Sequence, residues 1–253
     1  MSKKKLQAPI FLNESCGATK QLKQLQSINQ EFLSDDIKSR LNQEIKFVSY
    51  GIQGEKNIIH ELRSSHMPIY VLSDLYFEYE GLSAQIDFIV ITRKYHYVIE
   101  CKNLYGDIKI TPKGEFIRIT NYNEQHSRKG FYSPITQNHK HMELLRKIRR
   151  ENISNSIMRA GFDKFFHDTY RSVVVLANPK TILTDNRTEN PKNEKVIRAD
   201  LLISYIKNLN KQCDSFDLPD QKMEEIATFF LSKNIEREVD YIKLFTNSVA
   251  AIH

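Results

Sequence analysis

Apolar runs long enough to cross a membrane are missing from this chain of 253 residues, whose most apolar stretches, such as 86–91 with Asp87 inside it, fall far short of the roughly 20 a spanning helix needs. The start, Met-Ser-Lys-Lys-Lys, is basic, but no apolar stretch of about 7–15 residues follows it. Neither membrane insertion nor secretion is therefore expected, and the expected location is the cytoplasm. Cysteine is scarce. Cys16, Cys101 and Cys213 are odd in number, widely scattered and form no C-x-x-C pair, which argues against a disulfide framework and a cysteine-held zinc. The eight histidines include no H-E-x-x-H, so zinc hydrolase chemistry is disfavoured. No G-x-x-x-x-G-K-[ST] loop is present, which excludes an ATP-driven motor within this chain. Internal repeats and low-complexity segments are absent as well.

What is present is an ordinary globular composition, 40% hydrophobic and 27% charged, long enough for one core with appendages. The net charge of +6 is compatible with a polyanionic partner, and equally with proteins that never meet one. Basic residues gather at 3–5 and 146–150, as phosphate contacts or as solvated surface.

Periodicity organises the chain. Leu22, Leu25, Ile28, Phe32, Ile37 and Leu41 recur at helical spacing and predict one or two peripheral helices. Residues 51–64 read as a short helix with Ile58, Ile59 and Leu62 on its apolar stripe, ended by Pro68. Runs rich in β-branched and aromatic residues at 69–79, 84–92 and 95–100 predict an antiparallel meander with turns at Glu80-Gly81 and Arg93-Lys94. Further strands are expected at 107–110 and 116–120. Helices are expected from Pro134 to Arg150 and over 153–166. Residues 171–177, with Val173-Val174-Val175-Leu176, read as a central strand buried on both faces. A polar loop over 179–194, a short strand at Val196-Ile197, a helix capped by Asp200 and one over 219–232 complete an α/β pattern.

Hydrolysing a phosphodiester requires neutralising charge on phosphorus and generating a nucleophile from water, tasks suited to acidic metal ligands and a lysine. Asp87 and Glu100 are such ligands, and Lys102, two residues on, lies on the same face of an extended strand as Glu100. Acid-x-Lys alone says little, because Asp36, Glu44, Asp107 and Asp220 each have a lysine two residues later. Only Glu100-Cys101-Lys102 ends an apolar strand preceded by another strand with an embedded acid, Asp87. The alternative is a cross-strand ion pair between Asp87 and Lys102. Glu55 shares a helix face with Ile59 and Leu62, where a carboxylate needs a partner, although it could also simply complement the helix dipole.

Together these residues resemble the PD-(D/E)xK nuclease superfamily and, within it, the nuclease-related domain (NERD) family. The resemblance runs from about Gly51 to Ala177, roughly half the chain. It rests on Gly54-Glu55, Gln85-Ile86-Asp87, Val98-Ile99-Glu100-Cys101-Lys102-Asn103 with Gly106, and Ser133-Pro134-Ile135-Thr136-Gln137. The proline that names the superfamily is replaced by Ile86. The resemblance implies a restriction-endonuclease-like core, a central mixed sheet flanked by helices. Residues 1–50 would form an N-terminal helical extension, 51–180 the nuclease core, and 181–253 a C-terminal helical part packed on it. It further implies Mg²⁺, with Mn²⁺ as substitute, held by Asp87, Glu100 and the Cys101 carbonyl. Lys102 would position water, Glu55 would be an accessory acid, and Gln137 would line the site or serve as a core amide. DNA is the implied partner, and partner proteins of a DNA-processing or defence system are compatible with the chain. A non-catalytic DNA-binding or signalling module on the same fold is the alternative.

Overall fold

The structure, a computed structural model, describes residues 5–13, 17–31, 33–122, 125–188 and 193–250. Phe32, Cys16 and most of the 3–5 basic run therefore lie outside the described residues.

The core is a mixed six-stranded sheet in the order β1-β2-β3-β4-β8-β10. Strands β2 (Tyr70–Tyr79), β3 (Leu82–Ile91) and β4 (His96–Lys102) form the expected antiparallel meander. Glu80 and Gly81 both take positive φ, 48° and 75°, as a two-residue turn matched to strand twist requires. Strand β8 (Tyr170–Leu176) lies parallel between β4 and β10 (Glu194–Arg198), and every one of its residues is buried. That burial explains the unbroken valine run. Strand β1 (Ile10–Phe11), parallel to β2, closes the other edge and was not expected.

Helix α2 (Asp35–Arg63) is a single helix of 29 residues, so the short helix expected from Gly51 is its C-terminal half. Gly51 and Gly54 imitate a helix start but lie inside the helix. Gly54 instead permits close approach: a Cβ there would lie 2.6 Å from Asn103 Cβ and 3.2 Å from Cys101 Sγ. Ser34 caps the helix and Asp35 and Asp36 occupy its first turn, where they complement the dipole. Helix α1 (Gly17–Gln26) packs beside it.

Helix α3 (Pro134–Glu151) covers the opposite face of the sheet, opening on a Ser133 cap and Pro134 as its composition predicts. Fully buried Asn138 fixes it, donating to the Val98 carbonyl at 2.8 Å and to Ser172 Oγ at 2.9 Å. Helices α4 (Ser156–Thr169) and α6 (Asp220–Ser232) complete this layer. Helix α5 (Leu202–Lys211) joins α2 on the other. Asp200 lies in a 3₁₀ turn before α5, pairs with Arg198 and caps nothing, contrary to expectation. Helix α7 (Tyr241–Ala250) ends the described chain.

A second sheet, β7-β6-β5-β9, departs from the end of β4. Its strands are β5 (Asp107–Ile110), β6 (Phe116–Tyr122), β7 (Gln125–Phe131) and β9 (Leu183–Asp185). Gly106, at φ 99°, makes the turn into it where any Cβ would meet the Ile119 carbonyl. The polar stretch 179–194 is thus not all loop: it contributes β9 and the first residue of β10. Arg187, bonded to Asp185 and to Glu194 (2.7 Å), ties β9 to β10, and His139 of α3 reaches Glu194 at 2.9 Å.

Candidate active site

The meander is perturbed where the candidate residues sit. Ser73 pairs with Phe88 and Leu75 with Ile86, but Asp74 and Asp87 between them do not pair, and Asp74 has φ 50°. Ile86 and Phe88, two apart on one strand, enter different cores, so side-chain alternation breaks at Asp87. The β3–β4 ladder reaches only Phe88 and Ile99. Beyond it, Asp87 Oδ2 accepts the Cys101 backbone N–H at 2.7 Å.

Glu100 and Lys102 face α3, as the period of two predicts. The Lys102 ammonium lies 2.5 Å from Glu100 Oε1 and donates to Gln137 Oε1 at 3.1 Å. Its partner is Glu100, so the cross-strand pair with Asp87 is not the arrangement adopted. The Glu100 side chain is 2% exposed while that of Lys102 is 24% exposed, so the lysine forms the solvent-facing edge of a buried carboxylate. Glu100 Oε2 is buried with no hydrogen-bond partner, and His141 Nδ1, equally unpartnered, stands 3.5 Å away. The Cys101 side chain points to the other face, against Gly54.

Electrostatics couples the members of the group. Burial, then the charges of Glu100 and Glu55, push the Asp87 carboxyl well above the usual range, against the opposing Cys101 N–H and Lys102. Burial also raises Glu100, with Lys102 opposing. Burial and the neighbouring ammonium lower His141 to about 4, leaving a neutral imidazole. Glu55, half-buried on α2, therefore acts on Asp87 as a like charge, which a residue serving only the helix dipole would not do.

All five expected side chains, Glu55, Asp87, Glu100, Lys102 and Gln137, gather where the β3–β4 ladder ends. Among the other acid-x-Lys pairs, those at Asp36, Glu44 and Asp220 lie on helices, where residues two apart diverge, while Asp107 accepts the Ile182 N–H. His141, part of no H-E-x-x-H motif, joins the five site residues in the structure. Its signal was spacing: four residues after Gln137, it shares that residue's helix face. Much of the 146–150 basic run is engaged within the protein, Arg146 and Arg150 with Asp163 and Arg149 over the Phe229 ring.

Fold and site together define a restriction-endonuclease-like core, a curled mixed sheet between helical layers with an acid, acid-x-lysine group where two strands separate. The family model for the nuclease-related domain matches residues 50–177, and the chain belongs to this NERD family. No curated protein and no solved structure matches it significantly.

Proposed function

We propose that the protein is a divalent-metal-dependent nuclease that hydrolyses DNA phosphodiester bonds. The observation that supports it most is the buried, unpartnered Glu100 Oε2 beside a second carboxylate, the partly exposed Asp87. An orphaned carboxylate oxygen is costly, and a cation relieves it.

The donor set fits Mg²⁺. Among the described residues no group of three or more acidic, histidine or cysteine side chains could hold a metal. Mg²⁺, however, is commonly bound through one or two carboxylates with water completing its shell. Asp87 and Glu100 would hold it, with the Cys101 carbonyl as the backbone ligand and Mn²⁺ as substitute. Bound there, the cation neutralises charge developing on the phosphate and eases deprotonation of water.

The protein's own groups do the rest. Glu100 and Gln137 each take one contact from Lys102, which fixes its ammonium and leaves one of its three hydrogens to orient water or a phosphate oxygen. Glu55, Asp87 and Glu100 outnumber the single lysine, so the group favours a divalent cation and repels bare phosphate. A module that only bound DNA would gain nothing from that repulsion. The scattered cysteines, with Cys101 and Cys213 free, suit the cytoplasm, and among the described residues no helix is long and apolar enough to cross a membrane.

The test is cleavage of supercoiled, linear and single-stranded DNA with Mg²⁺, Mn²⁺ or chelator. Cleavage is expected only with metal, and neither Asp87→Asn nor Lys102→Met protein should cut. Unchanged cleavage by either variant contradicts the mechanism.

A further inference from the structure

A cavity of about 750 Å³ opens beside the candidate site, between the tip of the β2–β3 hairpin and the first half of α3. Gln137 and His141, which face Lys102 and Glu100, also line it, so it continues the site rather than standing apart. Leu82, Ala84 and Leu144 make it largely apolar, and Tyr132 stands at its wall, 58% exposed. The Lys140 ammonium lies 5.3 Å from the Tyr132 ring centroid. Lys147 also lines the cavity, 3.9 Å from Glu80, while the charge of Glu143 there is met by Arg146 at 2.8 Å.

We propose that this cavity takes unpaired nucleotides of the DNA strand whose phosphate lies at the candidate site, with a base stacked on Tyr132. The proposal rests on the nuclease reading and names the class of substrate: DNA with a single-stranded region next to the cut. Three features fit that occupant. The volume falls in the range of about 300–1,000 Å³ typical of small-ligand pockets and has room for one or two nucleotides. Apolar walls and an exposed ring offer a surface to base faces that a duplex keeps stacked within itself, and such platforms tolerate any base. Lys140, over the ring, and Lys147 place positive charge where the phosphates of a stacked strand would run.

Fluorescence anisotropy in chelator, where the nuclease reading expects no cutting, tests this with one labelled sequence as single-stranded DNA, duplex DNA and single-stranded RNA. Wild-type protein is expected to bind single-stranded DNA most tightly. Tyr132→Ala should weaken that binding by about five- to a hundredfold, the range of one lost stacking contact, and Tyr132→Trp should largely preserve it. Duplex binding should follow neither change. Circular dichroism establishes that each variant is folded. Wild-type preference for duplex or for RNA, or equal single-stranded DNA binding by folded Tyr132→Ala protein, overturns the proposal. Tyr132-dependent binding by a protein that cuts nothing supports the cavity and defeats the nuclease reading, whereas cutting with Tyr132-independent binding does the reverse.

Discussion

Asp87 accepts the backbone N–H of Cys101 at 2.7 Å, just past the last paired residues of the β3–β4 ladder. A carboxylate stands in for the carbonyl that a continued strand would offer. The bond holds the acid toward the gap between the strands, beside the like charges of Glu100 and Glu55.

Asparagine at position 87 keeps an acceptor for Cys101 and removes the repulsion. Asp87→Asn protein without metal is therefore expected to be more stable near neutral pH by about 1 kcal/mol, as functional sites that store strain often allow. For a chain of this size that is on the order of 2–4 °C in Tm. Because the folded-state pKa of Asp87 is raised, its contribution is fully present at low pH and is lost as pH rises through that raised value. The advantage of the variant should accordingly grow with pH. Thermal unfolding at several pH values checks both.

Glu100 is buried, and Lys102 is the cation that touches it. Lys102→Met is expected to destabilise the protein by up to about 3 kcal/mol, the low end for a broken buried pair, because the lysine is partly solvated. Adding Glu100→Gln should recover most of that loss. Urea unfolding of the two single variants and the double variant measures the coupling.

Two glycines of α2 should respond in opposite ways. Gly51 has nothing within 4 Å of an added Cβ, so Gly51→Ala is expected to gain about 0.5–1 kcal/mol from helix propensity. Gly54→Ala would press on Asn103, Cys101 and Ala177. Overpacking of about 1–3 kcal/mol should outweigh the helical gain and displace Glu55 from Asp87. Equilibrium unfolding of the pair, with cleavage rates for Gly54→Ala, decides this.

His96 is 4% exposed and packs edge-on against Tyr170. Burial, with Arg149 nearby, lowers its pKa from the ordinary 6.5 to about 4. A depressed histidine is neutral when folded, so its contribution is present above 6.5 and is lost as pH falls toward 4. The loss amounts to up to about 3 kcal/mol. The site carboxylates shift the opposite way, so the difference between wild type and His96→Gln isolates the histidine. That difference, from urea unfolding across this window, should narrow as pH falls.

The meander and the valine strand were legible as runs of β-branched and aromatic residues and α3 by its helical period, and both strands of the site belong to the meander. Gly54 misled. A glycine in a helical pattern signals either an end or a close approach, and only the position of Asn103 and Cys101 tells which. Strand β7, Gln-His-Ser-Arg-Lys-Gly-Phe, was invisible because its residues are mostly polar and its place is set by pairing with β6. His141 escaped for a related reason, since its role depends on Glu100, which lies 41 residues earlier in the chain.

The claim that Asp87 and Glu100 share a divalent cation is tested most directly by a crystal structure with Mn²⁺ at a concentration that supports activity. An anomalous peak bridging the two carboxylates, lost in Asp87→Asn protein, is the expected result. A Mn²⁺ peak elsewhere, with none between Asp87 and Glu100, would contradict it.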